Sequence, residues 1–414
     1  STLMRSSAAS DVYKRQTWRI IMNNILTKIK TLSVIAILFS PISSNAFVLG
    51  IGVHPTGFKK NTEHYIQMAQ NYGFNSFRAD MQWQRIESKK SIYTISNILK
   101  NNDFLFKNYS QTSSTSTLLI LNYGNKLYTP QGYPDDSKGT EAFANYTDWV
   151  SNRYREKVRF YEVWNEWLQG TGVPNKITPS DDPRVYTQLV KESYEKIKKN
   201  DANAIVMIGS INPTIPKYVK WANGLIDSGI LRYSDAISIH AYSTRISKKN
   251  TKEPEQSIAE IDNFERTIVT KTGNSKPIYI TEMGYPTMLR DNNLSEYNVA
   301  QKILKFTLMA RSRPYIKGLW WYDLIDHSNN RNNPEDNYGF FYFNEKPKLS
   351  ALYLKKISYL IIDDSVEFSQ KTVNNTITVN ISKNNGKSLK LSWIEGKPID
   401  KSVLNNFFDN LEKF

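Results

Sequence analysis

Two glutamates in this sequence each follow a short apolar run. Glu166 lies in RFYEVWNEW (159–167), and Glu282 lies in KPIYITEM (276–283). If both runs are strands whose ends meet, the pair could cleave a glycosidic bond, because one carboxyl group protonates the leaving oxygen and the other attacks the anomeric carbon or activates water. The alternative is that each glutamate is a structural ion-pair partner. Their matching positions at strand ends favour the chemical interpretation.

Six other runs have a strand-like composition: FVLGIGV (47–53), NSFRAD (75–80), STLLILNY (116–123), AIVMIGS (204–210), DAISIHAY (235–242) and IKGLWWYDL (316–324). Helix-like segments lie between the runs, and residues 183–200 and 296–312 show apolar side chains every three or four positions. Eight strands that alternate with helices predict an α/β fold, the (β/α)8 TIM barrel. A doubly wound sheet is the competing architecture, but the first run lacks the Gly-rich phosphate turn of that fold.

The catalytic groups of such barrels lie at the C-terminal ends of the strands. This rule selects His54, Arg78, Asn122, Tyr123, Asn165, Glu166, His240, Tyr242, Glu282, Trp320 and Trp321. We predict that Glu166 and Glu282 are catalytic. We predict that the substrate-binding residues are His54, Arg78, Asn165, His240, Tyr242 and Trp321, since aromatic faces suit sugar rings and polar groups suit hydroxyls.

Two other features surround Glu166. We expect Trp164 or Trp167 to pack behind Glu166, where an apolar surface that excludes water would raise the pKa of its carboxyl group. Glu162 lies deeper in the same strand, so it is the poorer candidate for the acid, and we expect it to pair with Arg78 or Arg159.

Several segments resemble the clan A retaining glycoside hydrolases, and most of all glycoside hydrolase family 39, which includes hydrolases of bacterial exopolysaccharide loci. The matching segments are FRADMQWQRIE, LLILNYGNKLY, EAFANYTDWVSNRYREKVRFYEVWNEW, DAISIHAY, IYITEMGYPT and GLWWYDL, within residues 48–360. The resemblance implies that Glu166 is the acid/base, that Glu282 is the nucleophile and that Asn165 holds the sugar 2-hydroxyl. It also implies that Arg78, His240 and Tyr242 support the nucleophile and the sugar. Unlike the typical members, this chain has only a short C-terminal β region.

The ends of the chain differ in pattern from its centre. From Met22, the segment MNNILTKIKTLSVIAILFSPISSNAF has basic residues, a short apolar run and a small-x-Ala end, which is typical of a secretory signal peptide. We therefore predict a signal peptide at 22–46 with cleavage after Ala46, a catalytic barrel at 47–360 and a small antiparallel β region at 361–414. Residues 1–21 are interpreted as a non-native or unstructured extension.

Composition limits the partners. The absence of cysteine excludes disulfides and thiolate chemistry. Without residues 1–46, which hold six basic residues and one acidic residue, the formal net charge falls from +15 to +10. A basic surface favours anionic partners, here an acidic polysaccharide rather than a nucleic acid. The four histidines are scattered along the sequence, so we predict no metal and no cofactor.

The combined prediction is an exported, periplasmic or secreted, retaining hydrolase that cleaves β-glycosidic bonds in a polysaccharide such as a bacterial capsule or exopolysaccharide. We expect a monomer that is not inserted in the membrane after signal cleavage. The alternatives are an inactive carbohydrate-binding barrel, an exo-acting β-glycosidase on oligosaccharides, a metal-dependent deacetylase and a lyase.

Overall fold

The computed structural model describes residues 46–109, 115–173, 179–242 and 253–414. The chain divides between Asn45 and Ala46 into two units, and the second unit holds all of the described residues. The predicted extension at 1–21 and all of the predicted signal peptide before Ala46 lie outside the described residues. Within the described ranges, no helix combines the length and the apolar character needed to cross a bilayer.

A closed barrel of eight parallel strands forms the body of the protein and confirms the predicted fold class. The strands are β1 Val48–Gly52, β2 Ser76–Asp80, β3 Ser116–Leu121, β4 Phe160–Val163, β5 Ile205–Ile211, β6 Ala236–His240, β7 Ile278–Met283 and β8 Ile316–Trp321. Each strand pairs with the next along the chain, and β8 pairs with β1. The C-terminal ends of all eight strands therefore meet at one mouth.

At least one helix lies in every connection between consecutive barrel strands. The helices are α1 Thr62–Gln70, α2 Trp83–Ile86, α3 Lys100–Asn108, α4 Ser137–Arg153, α5 Pro183–Asn200, α6 Pro216–Asp227, α7 Pro254–Thr272 and α8 Glu296–Arg311. The helix α5 has the predicted bounds, because Pro183 occupies its first turn and the Asp182 side chain accepts a hydrogen bond from the Arg184 N–H.

The barrel interior changes from apolar to charged toward the mouth. The floor is an apolar cluster formed by Val48, Leu118, Ile120, Phe160, Met207, Ala236, Tyr279 and Trp320. Because side chains alternate between the two faces of a strand, the interior position above Phe160 is Glu162 and the one above Ala236 is Ser238, followed by His240. The sequence thus places a polar layer directly above a packed floor.

After the barrel come the helix α9 Leu349–Ile361 and a three-stranded antiparallel sheet with the order β11-β10-β9. Its strands are β9 Val366–Val373, β10 Thr376–Lys383 and β11 Ser388–Ile394. The indole N–H of Trp393 donates to Glu255 Oε1 of α7 at 2.6 Å, which joins this sheet to the helical layer of the barrel.

The sequence interpretation missed a final helix, α10 Lys401–Leu411. Asp400 caps it by accepting hydrogen bonds from the N–H groups of Ser402 and Val403. Its buried residues Leu404, Phe407, Phe408 and Leu411 recur at helical spacing. The antiparallel sheet confirms the predicted β appendage. The helix α10 is an addition to it, and this apolar stripe was the signal that could have revealed the helix.

Candidate active site

Glu166 lies just beyond the end of β4, where the backbone turns sharply. Trp164 and Glu166 both have left-handed φ angles, 67° and 51°. Each such conformation costs a non-glycine residue about 1–3 kcal/mol, and strain of this kind is concentrated at functional sites. The ring of Trp164 lies 5.6 Å from that of Tyr133 and 5.1 Å from that of Trp167. This packing holds the turn that carries Glu166 to the mouth.

Arg78, at an interior position of β2, is the centre of the site. Its Nη1 donates to Glu282 Oε2 at 2.6 Å, its Nε donates to Glu162 Oε2 at 3.0 Å, and its Nη2 donates to Asn165 Oδ1 at 2.9 Å. Its side chain is only 5% exposed. Burial alone would lower the pKa of Arg78, but the charges of Glu162 and Glu282 raise it above the ordinary value.

Glu282, at the end of β7, is held through both of its oxygens. Arg78 contacts Oε2, and the hydroxyl of Tyr242 donates to Oε1 at 2.8 Å. Its side chain is 12% exposed, so the carboxylate faces the mouth from an otherwise buried setting.

Glu166 is oriented by the loop after β4 and by β6. The hydroxyl of Thr171 donates to Glu166 Oε2 at 2.6 Å, and Nδ1 of His240 lies 3.2 Å from Glu166 Oε1. A carboxylate oxygen of Glu166, a ring nitrogen of His240 and a carboxylate oxygen of Glu282 all lie within 4.8 Å of one another. The two predicted catalytic carboxylates are therefore neighbours, although their positions in the sequence are far apart.

Glu162 lies beneath the mouth and is fully buried. Besides Arg78, it accepts hydrogen bonds from the hydroxyls of Ser210 at 3.1 Å and Thr281 at 2.9 Å, and from that of Ser238. Burial alone would raise the pKa of Glu162, but the charge of Arg78, the hydrogen bond and charge of His240 and the hydrogen bond from Ser238 hold it well below its ordinary value. Glu162 therefore pairs with Arg78, one of the two partners expected from the sequence.

His240 lies between three carboxylates and Arg78, whose Nη2 is 3.3 Å from His240 Nε2. Burial and the charge of Arg78 lower the pKa of His240, but the charge of Glu282 and the hydrogen bonds to Glu162 and Glu166 outweigh them and raise it to about 9. The imidazole is therefore cationic in neutral solution and adds a second positive charge to the one on Arg78.

Asn165 links β4 to β3. Its Oδ1 accepts from Arg78, and its Nδ2 donates to the hydroxyl of Tyr123 at 3.0 Å. A primary amide carries two donors, and among the described contacts only one N–H of Asn165 has a partner. Trp164 and Trp167 are both buried, and Trp167 lines a small cavity together with Glu166.

The structure does not place Trp321 at the mouth. The residue is fully buried, and its ring packs against Phe306 at 5.6 Å and Phe340 at 6.0 Å. The reason is strand alternation: Trp320 points into the barrel floor, so Trp321 points outward into the helical layer. Tyr322, which is half-buried, lies at the mouth instead, with its ring 6.5 Å from that of Tyr242.

His54 lies apart from the network around Arg78. Its side chain is 53% exposed, and its Nε2 lies 3.5 Å from Asp323 Oδ2. Asp323 is also 2.7 Å from Nε2 of His327. Sequence reasoning missed Thr171 and His327, which lie on loops several residues beyond β4 and β8. It also passed over Asp323, because Trp320 and Trp321 were selected from the same run.

Comparisons with known protein families and structures identify the family and the fold of this chain. Residues 43–322 match the family Cellulase (glycosyl hydrolase family 5). The chain belongs to this family. It is therefore a glycoside hydrolase of clan A, which confirms both the resemblance to that clan and the prediction of an enzyme. A comparison with curated protein sequences gave no significant match.

Solved structures of other glycoside hydrolases share the fold of this hydrolase. A family 39 glycoside hydrolase from Bacteroides cellulosilyticus WH2 aligns with a TM-score of 0.66 at 17% identity, over 87% of this chain and 75% of that one. The GH39 enzyme from Xanthomonas axonopodis pv. citri gives 0.59 at 15% identity, over 82% and 72%. Xylanase 10B from Thermotoga maritima gives 0.53 at 15% identity, over 76% and 96%. At these identities the likeness describes the fold alone.

Proposed function

We propose that this glycoside hydrolase cleaves β-glycosidic bonds in a polysaccharide by double displacement, with retention of the anomeric configuration. The observation that carries the proposal is the approach of an oxygen of Glu166 to one of Glu282 within 4.8 Å. Retaining enzymes place their two carboxyl groups about 5–5.5 Å apart, whereas inverting enzymes need about 6.5–9.5 Å to admit a water molecule. The spacing therefore favours direct attack on carbon.

Glu282 is assigned as the nucleophile. Arg78 and Tyr242 each hold one of its oxygens, at 2.6 Å and 2.8 Å, so the attacking group is fixed before the sugar arrives. Attack by a carboxylate oxygen on the anomeric carbon forms a glycosyl ester and breaks the glycosidic C–O bond, and the electron pair of that bond goes to the leaving oxygen.

Glu166 is assigned as the acid in the first step and the base in the second. It donates a proton to the leaving oxygen and then removes one from the water that hydrolyses the ester. The positive charges of Arg78 and His240 balance the negative charges of the Glu162 and Glu282 carboxylates. These four side chains and Glu166 therefore have no net charge together when Glu166 carries its proton. The N–H of Asn165 that does not contact Tyr123 is the proposed donor to the sugar 2-hydroxyl.

The proposed substrate is an acidic polysaccharide outside the cytoplasm. The net charge of +10 after residue 46 and the signal-like segment Met22–Ala46 support this. Structures with the same fold include a β-xylosidase and an endo-β-1,4-xylanase, and both names specify a β linkage. Secreted material should begin at Phe47, and its binding to uronate polymers should weaken with added salt, since exposed charges are screened over about 10 Å at 0.1 M.

The decisive test of mechanism is Glu282→Ala assayed with an activated aryl β-glycoside, with and without azide. Hydrolysis should be lost, because no glycosyl ester can form, and azide should restore turnover with a glycosyl azide of inverted configuration. Glu166→Ala should keep the first step for good leaving groups and accumulate the glycosyl-enzyme. Glu195→Ala, on the exposed face of α5, is the matched control and should retain wild-type activity.

Proton NMR of the first product formed by the wild-type enzyme gives an independent result. A product with the substrate's anomeric configuration is expected. An inverted first product, or a Glu282→Ala variant with wild-type turnover, would refute the assignment.

A further inference from the structure

A second cluster of polar side chains lies at the mouth, on the loops that follow β1 and β8. His54 follows β1, and Asp323 and His327 follow β8. Pairing of β1 with β8 closes the barrel and brings these loops together. One ligand atom from each of the three side chains lies within 4.8 Å of the other two. The histidines that are scattered in the sequence are thus partly gathered in space.

Asp323 is the buried member of this cluster. Its side chain is 2% exposed, and within the described residues its Oδ1 has no hydrogen-bond partner. A buried carboxylate oxygen without a partner is costly, because it has lost water and gained nothing in return. Its Oδ2 faces Nε2 of His327 at 2.7 Å and Nε2 of His54 at 3.5 Å. The carboxylate that carries the unpartnered oxygen therefore lies beside two imidazoles.

The two histidines border a cavity. The cavity has a volume of about 240 Å³, and its lining includes His54, Asp323 and His327 as well as Lys59 and Glu345. The side chains of His54 and His327 are 53% and 40% exposed, so both rings have room to adjust. A small ion or molecule can reach all three groups from this cavity.

We propose that His54, Asp323 and His327 bind a divalent transition-metal cation, with Zn²⁺ as the best match. Two imidazoles and one carboxylate are a common zinc ligand set, with Zn–N about 2.0–2.1 Å and Zn–O about 2.0–2.2 Å. Tetrahedral coordination at these lengths separates ligand atoms by about 3.3 Å. The 3.5 Å between His54 and Asp323 fits already, and a small rotation of His327 would open its 2.7 Å contact.

The reaction centre also gathers three such groups, Glu166, His240 and Glu282, but it is a poorer cation site. Arg78 donates to Glu282 at 2.6 Å and would repel a metal ion there. The cluster around Asp323 has no arginine or lysine salt-bridge partner among the described contacts of that carboxylate. The proposed cation site is therefore separate from the two catalytic carboxylates.

The ring of Tyr322 separates the two sites. It lies 5.7 Å from the ring of His54, 6.3 Å from that of His327 and 6.5 Å from that of Tyr242, whose hydroxyl contacts Glu282. Three protein ligands leave a tetrahedral position open. Since the cavity is lined by all three ligands, water or an oxygen of a bound molecule can fill that position.

The test is calorimetric titration of the tag-free, full-length protein with Zn²⁺ after treatment with a chelator and dialysis. One equivalent should bind to the wild type. His54→Ala and His327→Ala should each weaken binding by more than about 100-fold, because loss of even an outer partner of a metal ligand costs about 10- to 100-fold. His64→Ala is the matched control, since His64 is 38% exposed and contacts Glu345 instead, and it should bind like the wild type.

Anomalous diffraction at the zinc edge should show one peak between the three side chains. Circular dichroism of each variant separates loss of a ligand from loss of the fold. The proposal is overturned if the wild type does not bind Zn²⁺, if binding survives unchanged in folded His54→Ala and His327→Ala, or if Ca²⁺ binds as tightly as Zn²⁺. Because the readout is metal binding without substrate, none of these results depends on the proposed hydrolysis.

Discussion

Replacement of Thr171 by valine tests whether the loop after β4 controls the proposed general acid. The Thr171 hydroxyl donates to Glu166 Oε2 at 2.6 Å. Valine has nearly the same shape but no hydroxyl, so the substitution removes this donor and little else. A donor of this kind favours the charged form of a carboxyl group. Its loss should therefore make Glu166 hold its proton to higher pH.

The size of the effect follows from the hydrogen bond. Hydrogen bonds to charged groups contribute about 1.5–3 kcal/mol. Thr171 is half-buried, so the lower end of that range applies. Since one pKa unit corresponds to about 1.36 kcal/mol, the alkaline limb of kcat/KM should move up by about one pH unit.

The assay is the pH profile of kcat/KM on a glycoside with a poor leaving group, because such a substrate needs the proton. Thr187→Val is the matched control, since its hydroxyl donates only to the Pro183 carbonyl within α5 among the described contacts. Its alkaline limb should stay at the wild-type pH. A Thr171→Val enzyme with reduced activity but an unshifted limb would show that Thr171 acts by positioning alone, and the electrostatic reasoning would be wrong.

Three further predictions concern the buried network and the mouth. Glu162→Gln should lower the free energy of unfolding by about 3–5 kcal/mol, because it leaves the charge of Arg78 partly uncompensated, and denaturant titration measures this. The raised pKa of His240, about 9, implies stability that is complete below about pH 6.5 and is lost as the pH rises through 9, on the order of 3 kcal/mol; His240→Gln should flatten that dependence between pH 6 and 10. Trp321→Ala should cost about 3–5 kcal/mol of stability, whereas Tyr322→Ala should mainly raise KM; the reverse pattern would restore Trp321 to the substrate-binding surface.

The barrel could be predicted from sequence because each strand is a short apolar run followed by a polar residue. That pattern also located Arg78, Glu166, His240 and Glu282, since strand ends of a closed barrel meet at one mouth. The rule requires knowing which residues of a strand point into the barrel and which point outward. A one-residue error exchanges an inward side chain for an outward one, which is why Trp321 was placed in the site instead of Tyr322.

The contacts made by the loops could not be predicted from sequence, although the strand-end rule did select His54. Thr171 contacts Glu166 after a segment with left-handed residues on both sides of the short helix Trp167–Gln169, namely Trp164, Glu166, Gly170 and Gly172. His54 and His327 are 273 positions apart, and only the pairing of β8 with β1 brings them near Asp323. The strand-end rule brings His54 to the mouth but does not show which loop residues will contact it, so the histidines looked scattered.

Glu162 lies near the proposed general acid Glu166 in the sequence, but its surroundings give it a different role. It lies at an interior position of β4, where three hydroxyls and Arg78 satisfy its oxygens and leave it no access to the mouth. Because Glu162 holds Nε of Arg78, the guanidinium cannot turn away from Glu282, which it contacts through Nη1. The buried carboxylate thus fixes the cation, the cation fixes the proposed nucleophile, and little reorganisation remains when charge develops on the sugar.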